Sequence, residues 1–185
     1  HFDGVKSAAV IGGGLGTAIA YPQAKKLNAM GVRVDMINGF RNSDLVIIED
    51  ECKAACTNLY TMTDDGSNGN KGFVTAKLEE LIKNGEKYDV VIAIGPLVMM
   101  RAVCELTKKY GIKTIVSMNP VMIDGTGMCG GCRVTVGGET KFTCVDGPEF
   151  DGHLVDFDSL SLRLKTYHQE EAESYKNYKH KCKLN

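Results

Sequence analysis

Short apolar runs, separated by polar stretches punctuated with glycine, recur along the first two thirds of the chain. Residues 5–11 form a mainly apolar run that ends in glycines, as a strand buried on both faces of a parallel sheet does. Residues 16–30 read as a helix closed by Gly31, with Pro22 awkward unless it falls in the first turns. Residues 32–37 predict a second strand, 44–55 a helix and 58–62 a third strand. Residues 63–72 are a polar loop rich in Gly, Asp and Asn. Val74, Leu78, Leu81 and Ile82 recur at helical spacing, which predicts a helix over 74–84. A fourth strand at 90–94, a helix at 99–110 and a fifth strand at 113–117 follow. Five such units imply an α/β fold: a five-stranded parallel sheet with helices on both faces. Asn119-Pro120 marks a boundary, beyond which come a cysteine-bearing loop, a small hairpin (133–136 and 141–144) and a helix at 157–167. Residues 169–185 mix Glu and Lys and read as a solvated helix or a disordered tail.

Composition narrows the classes. At 185 residues the chain holds one ordinary domain plus a small module, and 43% hydrophobic content supports a real core. A net charge of -1 and the lack of a Lys/Arg run argue against nucleic-acid and membrane partners. The longest apolar stretch, 90–100, contains Gly95 and Pro96 and is too short to span a bilayer. No secretory signal is visible, so a cytoplasmic location is expected. The seven cysteines cannot all pair within the chain.

Two segments carry chemistry. Gly12-Gly13-Gly14-Leu15-Gly16-Thr17 ends a strand and opens a helix. Glycines there let a backbone approach phosphate, and a helix N-terminus favours negative charge. The dinucleotide fingerprint is imperfect: Thr17 takes its last glycine position, and Asn38-Gly39-Phe40-Arg41 supplies no acid for a ribose. A tight turn without a ligand is the alternative. The second segment runs Asp124-Gly-Thr-Gly-Met-Cys129-Gly-Gly-Cys132, with Cys144 beyond. Its spacing follows the plant-type 2Fe–2S pattern C-x4-C-x2-C…C with Asp in first place. Thiolates suit zinc as well, so a zinc site of Cys129, Cys132, Cys144 and His153 is an alternative, as is a loop of free thiols.

The glycine loop, the Thr63-Asp64-Asp65-Gly66-Ser67 segment and Ile94-Gly95-Pro96 with Met99-Met100 together resemble the NAD(P)-binding domain of the ferredoxin–NADP reductase superfamily. The resemblance runs from about Val5 to Ser117. It implies that Gly12, Gly13, Gly14, Gly16 and Thr17 face the pyrophosphate. Asp65, Gly66, Gly95 and Pro96 would then lie near the nicotinamide. Asp124 to Val134, with Phe142 to Gly152, resembles the C-terminus of small subunits of electron-bifurcating NADH-dependent reduced ferredoxin:NADP+ oxidoreductases. The related dihydroorotate dehydrogenase electron-transfer subunits place Cys where this chain has Asp124. By that resemblance the chain is an oxidoreductase subunit holding a 2Fe–2S cluster on Asp124, Cys129, Cys132 and Cys144. It would divide into an NAD(P)-binding domain (1–117), a cluster module (118–155) and a helix with tail (156–185).

Nicotinamide delivers two electrons as hydride and a 2Fe–2S cluster takes one, so a flavin is expected between them. In the resembling family an N-terminal barrel holds FAD, and nothing here matches it. Roughly a hundred N-terminal residues are therefore expected to be absent, leaving a chain inactive by itself. The expected partners are a larger catalytic flavin/iron–sulfur subunit, NAD(P)H and, indirectly, ferredoxin. No catalytic acid or base is assigned. Cys52, Cys56 and Cys104 read as core, His153, His168 and His180 as surface, and Cys182 as tail. Arg41 could meet an adenosine 2′-phosphate, leaving NAD against NADP open.

Overall fold

A computed structural model describes Phe2 and residues 4–181, side chains of 179–181 excepted. Cys182 and the His180 side chain lie outside the described residues. Five parallel strands form the sheet: β1 (Ser7–Gly13), β2 (Arg33–Phe40), β3 (Asn58–Thr63), β4 (Val90–Ile94) and β5 (Thr114–Ser117). They are joined by α1 (Gly16–Ala29), α2 (Glu49–Ala55), α3 (Val74–Lys83) and α4 (Leu97–Lys109). β1 and β4 are buried on both faces, which explains their near-continuous apolar runs, whereas the edge strand β3 is only partly buried. Ala8 and Val10 of β1 pack with Val34, Met36, Val90 and Ile92 under Ala20, Ala24 and Leu27 of α1. Their alternates Ala9 and Ile11 pack under Leu78 of α3 and Met100 and Val103 of α4.

Beyond β5 come the hairpin β6 (Arg133–Val136) and β7 (Glu139–Phe142), the short turn α5 (Thr143–Asp146), and β8 (Glu149–Asp151). The helices α6 (Phe157–Leu164) and α7 (His168–Lys181) follow. β8 runs antiparallel to β5, giving a six-stranded sheet ordered β3-β2-β1-β4-β5-β8. The C-terminal segment thus adds a strand to the main sheet, a pairing too short to carry a periodic signal. Among the described residues no helix is long and apolar enough to cross a membrane.

Three local departures from the sequence reading have physical reasons. Pro22 lies well inside α1, yet Pro22 and Ala18 are both exposed, so water can reach the Ala18 carbonyl that the missing N–H leaves open. The helix read over 44–55 splits, because Ile48 takes a left-handed φ of 46° and α2 starts after it. The hairpin turn is tighter than the residue pattern implies. Gly137 and Gly138 both have positive φ, 60° and 84°, as a two-residue turn of this hand demands. β7 therefore ends at Phe142, and Cys144 sits on the turn of α5 instead of a strand.

On β2, one strand in from the opposite edge of the sheet, Asp35 is only 1% exposed. It accepts from the Tyr88 hydroxyl at 2.7 Å and Asn58 Nδ2 at 2.8 Å, with Arg33 Nη1 at 3.4 Å. Burial and the bond to Asp35 push the Tyr88 phenol well above its ordinary range. Tyr88→Phe removes one donor from a buried carboxylate, a loss of about 1–3 kcal/mol. Urea denaturation should show a lower midpoint at unchanged slope; an unchanged midpoint would refute the role given to this hydroxyl.

Candidate functional site

The C-terminal ends of the parallel strands open onto a groove of about 1150 Å³. Gly13, Gly14 and Gly16 come from the β1–α1 turn, Gly39 to Arg41 from β2, and Gly95 and Pro96 from β4. Ser117 to Pro120, then Met122, form the far end. Register explains the floor: Gly13 pairs with Gly39, and Gly12 with Ile94, the residue before Gly95, so the glycines of β1 and β2 meet the one that follows β4.

The glycines of the turn have different duties. A Cβ on Gly12 would lie 2.8 Å from Thr17 Oγ1 and 2.9 Å from Asn38 Oδ1. One on Gly13 would lie 2.5 Å from Met99 Sδ and 2.8 Å from Pro96 Cδ. One on Gly16 would strike the Ile94 carbonyl and come within 2.8 Å of the Gly95 Cα. Gly13 and Gly16 allow the β1–α1 and β4–α4 turns to touch, while Gly12 lets Thr17 and Asn38 close on β1. Gly14 has φ 54° with nothing within 4 Å of its Cβ position, and it faces open groove. Thr17 is fully buried and Gly12 lies in the strand; neither lines the groove, since the first turn of α1 folds Thr17 inward against β1. The sequence reading brought both to a ligand; in the structure they lie behind the groove's lining. The atoms Thr17 Oγ1 and Asn38 Oδ1, which flank Gly12, are both buried and without a hydrogen-bond partner among the described residues.

The loop after β3 is stapled to itself. Asp65 Oδ1 accepts from the Ser67 amide at 2.9 Å and its hydroxyl at 2.7 Å, bonds that hold the carboxyl below its usual range. Thr63 Oγ1 donates to Asn68 Oδ1 at 2.7 Å. Asp64 and Gly72 line the groove, whereas Asp65 and Gly66 do not. Asp65 is taken up by Ser67, and its neighbour Asp64 is the aspartate on the groove.

The second feature begins two residues beyond Met122. Asp124 accepts from the Thr126 amide at 2.9 Å and the Cys129 amide at 3.0 Å. The Thr126 bond first, and contacts with Cys129 after it, hold Asp124 below the usual carboxylate range. Cys129 Sγ accepts from the Gly131 amide at 3.3 Å, and Cys132 Sγ from the Cys144 amide at 3.4 Å. Burial opposes ionisation of Cys132, but the amide and thiol of Cys144 and nearby amides bring it below its ordinary value. Cys144 is raised, first by its bond to Cys132. Cys129 is exposed, Cys144 half-buried and Cys132 buried. Gly125, Gly127 and Gly130, with φ of 73°, 83° and 65°, give the loop its curl.

The four candidate ligands thus stand as two pairs, Asp124 with Cys129 and Cys132 with Cys144. Among the described residues no group of three or more His, Cys, Asp or Glu is gathered as around a single ion. Two pairs fit a two-iron cluster, in which each iron takes two protein ligands, better than they fit zinc. Amides directed at the sulfurs are what an iron–sulfur site uses. His153 is not brought to the thiols: its Nε2 lies 3.0 Å from Thr107 Oγ1. Among the described residues the other thiols, Cys52, Cys56 and Cys104, lie in the core or packed against it. Cys56 donates to the Cys52 carbonyl at 3.0 Å, and burial pushes Cys56 up to about 11 and Cys104 to about 12.

Sequence reasoning missed Met122, Ser117 and Asn119 at the groove's far end and Pro148, which the Met118 amide holds there at 2.9 Å. It also missed Arg163, which reaches the loop from α6. Arg41 does line the groove.

Comparison with known proteins fits this geometry. Residues 119–156 match the family model of the iron–sulfur cluster binding domain of dihydroorotate dehydrogenase B. The chain is 53% identical over 170 residues to an uncharacterized protein in the adh 3′ region of Clostridium beijerinckii, covering 91% of this chain and 57% of that protein. It is 44% identical over 169 residues to a Thermotoga maritima homolog of the dihydroorotate dehydrogenase B (NAD(+)) electron transfer subunit, covering 91% and 59%. A solved structure of NADH-dependent reduced ferredoxin-NADP oxidoreductase, studied for flavin-based electron bifurcation, superposes with a TM-score of 0.85 at 41% identity. That match covers 93% of this chain and 62% of the other. The chain spans less than two thirds of the length of each of these relatives. The expected α/β fold, a parallel nucleotide-binding type of sheet followed by an iron–sulfur-type module, is the fold they share.

Proposed function

We propose, from the premise that this chain is a homologue of flavin-linked electron-transfer subunits, that it carries electrons between a nicotinamide dinucleotide and a 2Fe–2S cluster as part of a larger oxidoreductase. One observation carries the reading. A single groove runs from the glycine turn to Met122, and the paired ligand loop starts two residues later, at Asp124. NAD(P)H would lie in the groove over Gly13, Gly14 and Gly16, with Gly95 and Pro96 against its nicotinamide half. Asp124, Cys129, Cys132 and Cys144 would hold the cluster. The cluster supplies one-electron chemistry, and FAD, on parts of the protein outside this chain, would divide the pair of electrons carried by hydride. The chain's own work is placement. α1 and α4 fix the dinucleotide turn, and the Gly131 and Cys144 amides direct hydrogen bonds at the sulfurs. The partner would be a catalytic subunit in a hetero-oligomer, with the bifurcating ferredoxin:NADP oxidoreductase as the whole enzyme. The residues also divide into three proposed units, 1–117, 118–155 and 156–185, the second sharing the main sheet through β8.

A second reading, the electron-transfer subunit of a dihydroorotate dehydrogenase, is favoured by the family model over 119–156. Asp124 weighs against it, because the cluster loop resembles that of the bifurcating small subunits, which place Asp there.

The test is anaerobic purification with iron, acid-labile sulfide and zinc analysis. Equal iron and sulfide in a coloured protein is expected; a colourless chain holding one zinc would overturn the proposal. A second prediction concerns Asp124 itself. A carboxylate gives iron less electron density than a thiolate. Asp124→Cys should therefore keep the cluster and lower its reduction potential in a titration followed by electron paramagnetic resonance. An unchanged potential would remove Asp124 from the ligand set.

A further inference from the structure

The buried thiol of the ligand loop is framed by a residue far away in sequence. Arg163, on α6, donates Nη2 to the Gly131 carbonyl at 2.8 Å and Nη1 to the Arg133 carbonyl. These carbonyls lie on either side of Cys132. The Cys132 carbonyl between them accepts from the Thr143 amide at 3.2 Å. Three successive carbonyls are therefore held in place, and the Gly131 amide stays directed at Cys129 Sγ at 3.3 Å. Arg133 adds a weaker tie, from its Nη1 to the Gly130 carbonyl at 3.1 Å.

The base of the fork is rigid. Phe157 and Leu160 anchor α6 in the core, 8% and 2% exposed. Asp156 caps the helix by accepting from the Ser159 amide at 3.0 Å. Asp158 receives Arg101 Nη1 of α4 at 2.5 Å. The helix that lines the groove and the helix that grips the ligand loop are thus joined by an ion pair. Burial first, and then the neighbouring Arg133 charge, lower the Arg163 guanidinium from its ordinary value, while Cys132 opposes them.

We propose that Arg163 is a positioning residue for the cluster, holding the Cys132 segment by a two-carbonyl fork and raising the reduction potential with its fixed positive charge. This rests on the reading that the loop holds a 2Fe–2S cluster. The sign follows from charge: one-electron reduction adds negative charge next to a guanidinium that cannot lose its proton. The reduced form is stabilised and the potential rises.

The experiment is a redox titration followed by electron paramagnetic resonance on the cluster-loaded parent, Arg163→Gln and Arg163→Lys. The glutamine keeps a donor but no charge. Its affinity for the electron should fall about tenfold, which is about 59 mV for a one-electron couple. The lysine keeps the charge but not the fork. Its potential should stay near that of the parent while iron is lost faster to a chelator. A parent that takes up no iron and sulfide overturns the cluster reading and this inference together. A loaded parent with an unmoved potential in Arg163→Gln overturns the role of Arg163 alone. So do equal shifts in both variants, or a loss of iron to the chelator from both variants no faster than from the parent.

Discussion

Cys132→Ala is expected to leave less than about a tenth of the parent's iron after anaerobic reconstitution, in a chain that still folds. The argument begins from burial. Cys132 is only 2% exposed, while Cys129 is exposed and Cys144 half-buried. It is the thiol the fold holds most tightly. Its sulfur receives the Cys144 amide, and its flanking carbonyls receive Arg163. Even the outer partners of a metal ligand are worth about 10–100-fold in affinity, so removing the ligand itself costs at least that. The fold has reason to survive, since alanine is smaller and Val134 of β6 and Phe157 of α6 remain in the core. Iron and sulfide per chain, visible absorption and far-ultraviolet circular dichroism would be read together. A folded variant with the parent's iron content would remove Cys132 from the ligand set.

Most of the sheet could be read from the chain, because each parallel strand buried on both faces must be an apolar run, and β4 occupies 90–94 as expected. The cysteine spacing likewise marked the loop in which Asp124 meets Cys129 and Cys132 meets Cys144, since coordination restricts residue types and intervals together. What escaped has a common cause: it depends on residues distant in sequence. β8 is three residues long and exists because β5 offers it an edge. Arg163 sits thirty-one residues past Cys132 and carries no motif, only a helix that packs in the right place. Thr17 and Asp65 are a different case. Their residue types suit a ligand, but Thr17 is turned under Gly12 and Asp65 is taken by Ser67. A motif fixes which residues are near a site; the hydrogen-bond competition inside it decides which of them face a ligand.

Gly16→Ala should be the most damaging single-atom-group addition to the groove. An added Cβ there meets backbone, not a movable side chain: the Ile94 carbonyl, and the Gly95 Cα at 2.8 Å. Relief requires α1 to move away from the end of β4, and α1 carries Ala20, Ala24 and Leu27 of the core. Overpacking of this kind costs about 1–3 kcal/mol, and a backbone neighbour places it near the top of that range. For a chain of this size the melting temperature should fall by about 6–12 °C. Binding suffers as well, because the displaced turn is the one over which the dinucleotide is proposed to lie. A loss of about 1.4 kcal/mol in that contact is tenfold in affinity for NAD(P)H. Gly14→Ala separates the two effects. Its φ of 54° makes alanine cost about 1–2 kcal/mol, yet nothing lies within 4 Å of the new methyl. Gly14→Ala should therefore melt about 2–8 °C below the parent, less than Gly16→Ala. Thermal unfolding with nucleotide titration on both variants decides the matter. If Gly16→Ala matches the parent in melting and affinity, the close approach of the two turns is not what the glycines serve.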